Sequence, residues 1–131
     1  MIDHTGINVS DLALSRSFYE RALAPLGYRV RLELENSVGF GAEPGARDDL
    51  GGDFWISAGE PQTPRVHVAF RAANEQQVTE FHRAALEAGG MDNGPPGERA
   101  HYHAGYYAAF VRDPDGHNIE AVYHGTGEGE G

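Results

Sequence analysis

Residues 112–124 read RDPDGHNIEAVYH and combine a turn with a strand that carries a carboxylate. The DPDG tetrad at 113–116 predicts a tight turn, because Pro presets φ and Gly supplies positive φ. Strand alternation over 118–123 then places Glu120 and Val122 on the same face. A single carboxylate on a strand usually faces solvent, so a functional interpretation of Glu120 needs partners elsewhere in the chain.

An internal repeat supplies candidate partners. The segment HTGINVSDLALSRSFYERALAPLG, from His4, aligns without a gap on HVAFRAANEQQVTEFHRAALEAGG, from His67. The matched pairs are His4 with His67, Asp11 with Asn74, Phe18 with Phe81, Ala22 with Ala85, Leu23 with Leu86 and Gly27 with Gly90. Each copy predicts a strand opened by His, an N-cap at Asp11 or Asn74, an amphipathic helix and a Gly stop.

Further strand-like segments follow each predicted helix. They are residues 28–34, 37–41 and 54–58 in the first half, and 106–112 and 118–123 in the second, where a preceding strand is less well defined. The stretches GAEPGARDDLGG (41–52) and GGMDNGPPGERAHYHAG (89–105) are predicted to be loops. We therefore predict an α+β fold of two βαβββ modules, residues 1–59 and 60–124, with two similar curved sheets that are each backed by a helix on one side. A disordered acidic, Gly-rich tail, 125–131, follows.

Composition excludes several classes of function. The 131-residue chain has a formal net charge of −10, which argues against nucleic acid and anionic membrane surfaces as partners. It has no Cys, so any metal would be bound by His and carboxylate groups. No apolar run approaches the about 20 residues of a membrane span, and the first residues are unlike a signal peptide, so we expect a cytoplasmic protein. No GxSxG, P-loop or dinucleotide-binding motif is present.

The order of these motifs resembles the vicinal oxygen chelate superfamily, which includes glyoxalase I, extradiol dioxygenases, and fosfomycin- and bleomycin-resistance proteins. The resemblance covers residues 2–124, and its specific parts are HTGINVSDLALSRSFYERALAPLGY (4–28) and FVRDPDGHNIE (110–120). It implies that the two modules curve around a common cleft, with metal ligands from the first and last strands of each module.

By this resemblance, His4, His67 and Glu120 are assigned as ligands of a divalent metal ion, which could be Fe, Ni, Zn, Mn or Co. Two imidazoles and one carboxylate suit such an ion and leave coordination positions open for water and substrate. The position of a fourth ligand in glyoxalase-like relatives falls on Trp55, which cannot bind a metal. Asp53 is a reserve candidate for that role or for a supporting contact.

The segment HYHAGYY, residues 101–107, is rich in groups that bind substrate oxygen or move protons. Tyr102 and His103 are the candidate catalytic residues. The candidate substrate-binding residues are Trp55, Asp53, His101 and Tyr106. The alternative interpretation is an aromatic cluster that covers the end of the sheet. Tyr123 and His124 are also placed near the rim of the cleft.

These features predict a metal-dependent enzyme that binds neighbouring oxygens of a small-molecule substrate. Fe would favour a dioxygenase, and Ni, Zn, Mn or Co a glyoxalase-like lyase. The alternative is a metal-free binding protein of the bleomycin-resistance type. Because each half is small and leaves sheet edges to be paired, we expect a homodimer, with modules paired within one chain or exchanged between two.

Overall fold

Two similar halves make up the part of the chain that the computed structural model describes, residues 1–42 and 50–125. The first half contains β1 (Thr5–Val9), α1 (Leu12–Leu23), a 3₁₀ turn (Ala24–Leu26), β2 (Arg29–Glu33), β3 (Ser37–Gly41) and β4 (Phe54–Ala58). The second contains β5 (His67–Arg71), α2 (Glu75–Glu87), β6 (Met91–Glu98), β7 (Tyr107–Arg112) and β8 (Asn118–Tyr123). The middle of the predicted loop 41–52 and the predicted tail from 126 onward lie outside the described residues.

Each half forms one four-stranded mixed sheet. The strand orders are β1-β4-β3-β2 and β5-β8-β7-β6, so the same topology occurs twice. The first and last strands of each half run parallel, and the other neighbours are antiparallel. The predicted α+β fold with two βαβββ modules is therefore confirmed.

The helices begin where the repeat predicts. The Asp11 side chain accepts a hydrogen bond from the Leu14 N–H, and the Asn74 side chain accepts one from the Gln77 N–H. The two caps are the same distance apart in sequence as His4 and His67, so the alignment of the two copies holds through the helix starts. Within the described ranges, no helix is long and apolar enough to cross a membrane.

The strand β6 corrects the prediction of a loop over residues 89–105. Its ladder with β7 is irregular, with shifts between Asp92 and Gly94 and between Gly94 and Gly97. The strand tolerates its two prolines, which have no N–H group to donate, because β6 is an edge strand and has no neighbouring strand on its outer side. The glycines and prolines therefore mark a bulged edge strand.

One hydrophobic core joins both halves. Apolar residues of the two sheets and both helices form a single buried cluster, in which Phe54 and Phe70 bring the sheets together at a ring separation of 5.0 Å. The face of each sheet away from this core is called its open face below. Strand alternation and register place Gly6, Asn8, Gly39, Trp55 and Ser57 on the first open face, and His67, Ala69, Phe110, Glu120 and Val122 on the second.

The predicted DPDG turn also ties the two modules together. The Tyr19 O–H of α1 donates to Asp113 Oδ2 at 2.5 Å, and the Ser10 O–H donates to Asp115 Oδ1 at 2.5 Å. Burial, and then the Asp113 charge, raise the pKa of Tyr19 well above its usual value, so this phenol stays protonated and donates.

The buried imidazole of His117 makes a second tie between the modules. Its Nδ1 accepts the Val66 N–H at 3.2 Å, and its Nε2 lies 3.0 Å from the Asn8 carbonyl oxygen. Because a carbonyl only accepts, the proton is assigned to Nε2, and the neutral ring satisfies one backbone group of each module. Residues 113–117 thus fix how the halves meet.

Candidate functional site

The centre of the candidate site is the Glu120 carboxylate on the second open face. It is 1% exposed, and its Oε1 lies 2.8 Å from His67 Nε2. The parallel pairing of β5 with β8 sets Ala69 opposite Glu120, so His67, two residues earlier on β5, shares its face. The sheet register therefore brings together two of the three predicted metal ligands.

Tyr106 contacts the other oxygen of the same carboxylate. Its O–H donates a short hydrogen bond to Glu120 Oε2. Burial, followed by this bond and the Glu120 charge, raises the pKa of Tyr106 above its usual value, so the phenol remains a donor at neutral pH. Tyr106, predicted to bind substrate, thus holds Glu120 in place.

The other predicted loop residues form an aromatic cluster around Tyr106. The ring of Tyr102 lies 4.3 Å from that of His101 and 4.7 Å from that of Tyr106. The ring of His103 lies 5.2 Å from that of Tyr106, with an edge-on geometry. The cluster stands beside Glu120, and the Tyr102 side of it is open to solvent, with Tyr102 57% exposed.

His103 and His124 form a hydrogen-bonded pair at the edge of this cluster. His103 Nδ1 lies 2.8 Å from the Ala104 carbonyl oxygen, so this nitrogen carries the proton. In a neutral ring its Nε2 is then an acceptor, and it lies 3.0 Å from His124 Nδ1, which must donate. His124 Nε2 is consequently the acceptor nitrogen of the pair. His124 directly follows β8, and its ring lies 5.3 Å from that of Tyr106, which contacts Glu120.

Among the described residues of one chain, His4 does not join His67 and Glu120 in a group of metal ligands. It immediately precedes β1, its side chain is 59% exposed, and its Nδ1 is 2.7 Å from Asp3 Oδ1. Across residues 1–42 and 50–125, no three His, Cys, Asp or Glu side chains are grouped closely enough to hold a metal ion.

Trp55 occupies in the first sheet the position that Glu120 occupies in the second. Trp55 pairs with Gly6, Glu120 pairs with Ala69, and Gly6 aligns with Ala69 in the repeat. Its indole passes between Gly39 and Gly51, where an added Cβ on either glycine would meet the ring. The side chain at this position is therefore a fixed aromatic surface and not a metal ligand.

Asp53 lies at a pocket between the two modules. Its Oδ2 accepts the Tyr28 O–H at 3.0 Å, and burial, then Asp53, raise the pKa of Tyr28. A pocket of about 390 Å³ opens here, lined by residues of both modules that include Asp53, His67 and Arg71. Asp53 and His67 thus share a pocket without forming one metal site.

The arrangement can bind a cation or a polar ligand at Glu120. The atoms His67 Nε2 and Glu120 Oε1 are 2.8 Å apart, close enough to be neighbouring ligands of one ion at bond lengths of about 2.1 Å. The sequence indicates only a position near the rim for His124 and no role for Arg99. In the structure, the Arg99 guanidinium lies 5.4 Å from the Phe110 ring centre on this face. The signal in the sequence that could have identified Arg99 is the unusual GPPG sequence that precedes it, at residues 94–97.

Several known proteins are similar to this chain in sequence and fold. The model of the Glyoxalase/Bleomycin resistance protein/Dioxygenase superfamily matches residues 1–121. The chain is similar to a glyoxalase/bleomycin resistance protein from Albidiferax ferrireducens T118, with 28% identity over 94% of this chain and 98% of the other, at a TM-score of 0.76. A putative glyoxalase from Bacillus halodurans has 26% identity over 94% and 95% of the two chains, at a TM-score of 0.67.

A more distant structural relative is the fosfomycin resistance protein FosX from Listeria monocytogenes, solved with Mn(II) and a dihydroxypropylphosphonic acid. It has 19% identity over 96% of this chain and 90% of the other, at a TM-score of 0.68, a level that establishes a shared fold. No curated protein matches the chain significantly in sequence.

Proposed function

The chain belongs to the Glyoxalase/Bleomycin resistance protein/Dioxygenase superfamily, and we propose that it is a metal-dependent enzyme that holds two neighbouring oxygens of a small substrate on a divalent ion. The observation that carries this proposal is the buried Glu120 carboxylate on the open face of its sheet, 2.8 Å from His67 Nε2. A carboxylate buried outside the hydrophobic core is costly unless it serves a bound charge or a polar network.

His4, His67 and Glu120 are the proposed ligands, and their surroundings suit that role. Asp3 contacts His4 Nδ1, the arrangement in which a carboxylate orients a ligating imidazole and directs its Nε2 to the metal. Tyr106 donates to Glu120 Oε2 and leaves Oε1 directed at His67. A divalent ion bound there supplies Lewis-acid stabilisation of negative charge on substrate oxygens.

The third ligand, His4, is proposed to come from a second copy of the chain. Within one chain the described residues give no group of three ligands, although His67 and Glu120 are already adjacent. Both β1 and β5 are edge strands, and exposed edges favour pairing with another chain. A homodimer that sets β1 of one copy beside β5 of the other would bring His4 to the open face of Glu120.

Elemental analysis of protein purified without chelator tests the proposal. Stoichiometric Fe would favour the dioxygenase branch, and Ni, Zn, Mn or Co the glyoxalase-like branch. Single replacement of His4, His67 or Glu120 by Ala should each lower metal content strongly, because each removes one of three protein ligands. His82→Ala is the matched control, since His82 pairs with Asp92 on the helix side of the sheet. Unchanged metal content in two of the three variants would contradict the assignment.

The second candidate function is a metal-free binding protein. It is favoured by the engagement of both Glu120 oxygens by His67 and Tyr106, which satisfies the carboxylate without a metal. The exposed ring of Tyr102 offers a surface on which a planar or cationic compound could stack. Absence of metal after reconstitution with each of the five candidate ions, together with ligand binding that Tyr102→Ala abolishes, would favour this alternative.

A further inference from the structure

The guanidinium of Arg99 lies on the same open face as the proposed metal ligands. Its Cζ is 5.4 Å from the centre of the Phe110 ring, and Phe110 pairs directly with Glu120 across β7 and β8. Directly paired residues of neighbouring strands share a face of the sheet. The ring of His67 lies 6.2 Å from that of Phe110, so the cation stands one aromatic ring away from the centre of the site.

The bulge in β6 fixes this guanidinium. Arg99 Nη1 donates to the Gly97 carbonyl oxygen at 2.9 Å, and Nη2 donates to the Pro95 carbonyl oxygen at 2.8 Å. An added Cβ would lie 3.1 Å from Nη2 at Gly94 and 3.2 Å from Nη1 at Gly97. The glycines of the GPPG sequence therefore leave room for the cation, and the shifted register presents the carbonyls that hold it.

The charge of Arg99 is not neutralised by its neighbours in the described part of the chain. No carboxylate there forms an ion pair with it, although the sequence has 20 acidic and 10 basic residues. The two carbonyl bonds use two of the five N–H donors of a guanidinium, and the remaining donors suit the oxygens of a carboxylate or phosphate group. Among described residues this makes Arg99 a fixed cation beside the candidate site.

We propose that Arg99 binds an anionic group of the substrate, so that the substrate class is a small acid with a carboxylate, phosphonate or phosphate group in addition to its metal-binding oxygens. This inference rests on the proposed function, because it places the rest of the substrate at His67 and Glu120. The guanidinium stands over Phe110 of β7, the strand next to β8 at a spacing of about 5 Å, so the two groups of such a molecule are a few bonds apart.

A purely structural role for Arg99 makes a different prediction. If its guanidinium only ties the bulge, its replacement should lower stability and leave ligand preference unchanged. Arg99→Lys keeps the charge and loses the planar fork, whereas Arg99→Gln loses both. Arg83→Gln is the control with the same change in net charge, because Arg83 lies on α2 and pairs with Glu80 and Glu87.

The first experiment uses inorganic phosphate and chelator-treated protein, and so does not depend on the metal. Phosphate should shift the NMR signal of the Arg99 Nε–H group and the amide of Gly97 in wild-type protein. The Gly97 shift should disappear in Arg99→Gln and persist in Arg83→Gln. A titration in which neither signal moves would contradict the proposal.

The second experiment compares matched ligands on Mn(II)-loaded protein by calorimetry. We expect 3-phosphoglycerate to bind roughly tenfold more tightly than glycerate if the group is phosphate-like, and malate roughly tenfold more tightly than lactate if it is a carboxylate. Arg99→Gln should abolish the preference, Arg99→Lys should retain part of it, and Arg83→Gln should keep it.

The outcomes separate this inference from the proposed function. Protein that binds no Mn(II), but still shows the Arg99-dependent phosphate shift, would refute the metal site and support the anion site. Protein that binds Mn(II) and glycerate with no Arg99-dependent preference for either anion would overturn the anion site alone. Thermal unfolding of each variant verifies that it is folded. If Arg99→Gln is not folded, Arg99→Lys takes its place in the comparison.

Discussion

Glu120 is buried on the side of its sheet that the hydrophobic core does not cover. Its two oxygens are held by His67 and Tyr106, so its charge is compensated by a polar network. Removal of one member of a buried charged network typically costs several kcal/mol, because the remaining charge is left uncompensated. The contacts of Glu120 with His67 and Tyr106 therefore offset the cost of its burial.

The tautomer of His124 is a prediction about a single residue. The carbonyl of Ala104 sets the proton of His103 on Nδ1, which makes His124 an Nδ1–H donor with its acceptor lone pair on Nε2. We expect long-range ¹⁵N–¹H NMR at neutral pH to report the Nδ1–H form for both rings. In His103→Phe, which removes the acceptor, His124 should shift towards the Nε2–H form. An Nε2–H form in wild-type protein would contradict the assigned network.

The strand β4 carries Trp55, and the close packing of its ring against Gly39 of β3 gives a prediction about these two strands. In Gly39→Ala, the new Cβ would collide with the Gly51 carbonyl and come within 2.8 Å of the indole. The ring must move, so we expect a loss of about 1–3 kcal/mol in the free energy of unfolding. Because the chain has one Trp, a shift in fluorescence reports this movement directly.

The control for this change is Gly59→Ala. A Cβ there would be 3.6 Å from the nearest atom of Asn8, an ordinary van der Waals contact. Fluorescence and stability of Gly59→Ala should therefore match the wild type closely. Equal effects of the two substitutions would show that Trp55 is not confined by Gly39.

The contact of α1 with the 113–116 turn predicts a specific dependence of stability on pH. Burial and Asp113 raise the pKa of Tyr19 above that of an exposed phenol, so the unfolded chain loses this proton first as the pH rises. The contribution of Tyr19 is fully present below about pH 10 and declines above it, by at most about 1.4 kcal/mol per pH unit.

Tyr19→Phe tests this dependence. The variant should be less stable by about 1–3 kcal/mol at neutral pH, because Asp113 loses a buried donor, and the gap should narrow above about pH 10. Urea unfolding across that range provides the measurement. The other two phenols with raised pKa values, Tyr28 and Tyr106, are present in both proteins and cancel in the difference. A constant gap at all pH values would exclude ionisation of Tyr19 as the cause.

Assembly of the whole molecule gives the last prediction. If His4 of one copy completes the site of another, light scattering should report a dimer at micromolar concentration, and a stable monomer would refute this. Mixing His4→Ala with Glu120→Ala protein should then restore one metal site per mixed dimer, because one of the two sites receives an intact His4 and an intact Glu120. Metal binding that stays absent after proven subunit exchange would place all three ligands within one chain.

The repeat, the helix starts and the ends of most strands could be predicted from the sequence. These features depend on contacts close in sequence, such as the caps at Asp11 and Asn74 and the alternation along 118–123. The prediction was wrong over residues 91–98, where glycines and prolines favoured a loop. Pairing with β7 at an open edge makes that segment a bulged strand, and no local pattern encodes that pairing.

The partners of the site residues depend on contacts between distant parts of the chain. Sequence spacing gave Glu120 its face, but the parallel register of β5 with β8 sets it beside His67, and the loop after β6 brings Tyr106 to its second oxygen. The position of Arg99 likewise depends on the bulge that turns two carbonyls towards its side chain. Side-chain type and alternation are local properties, whereas convergence of side chains requires strand register and packing, which form only when the chain folds.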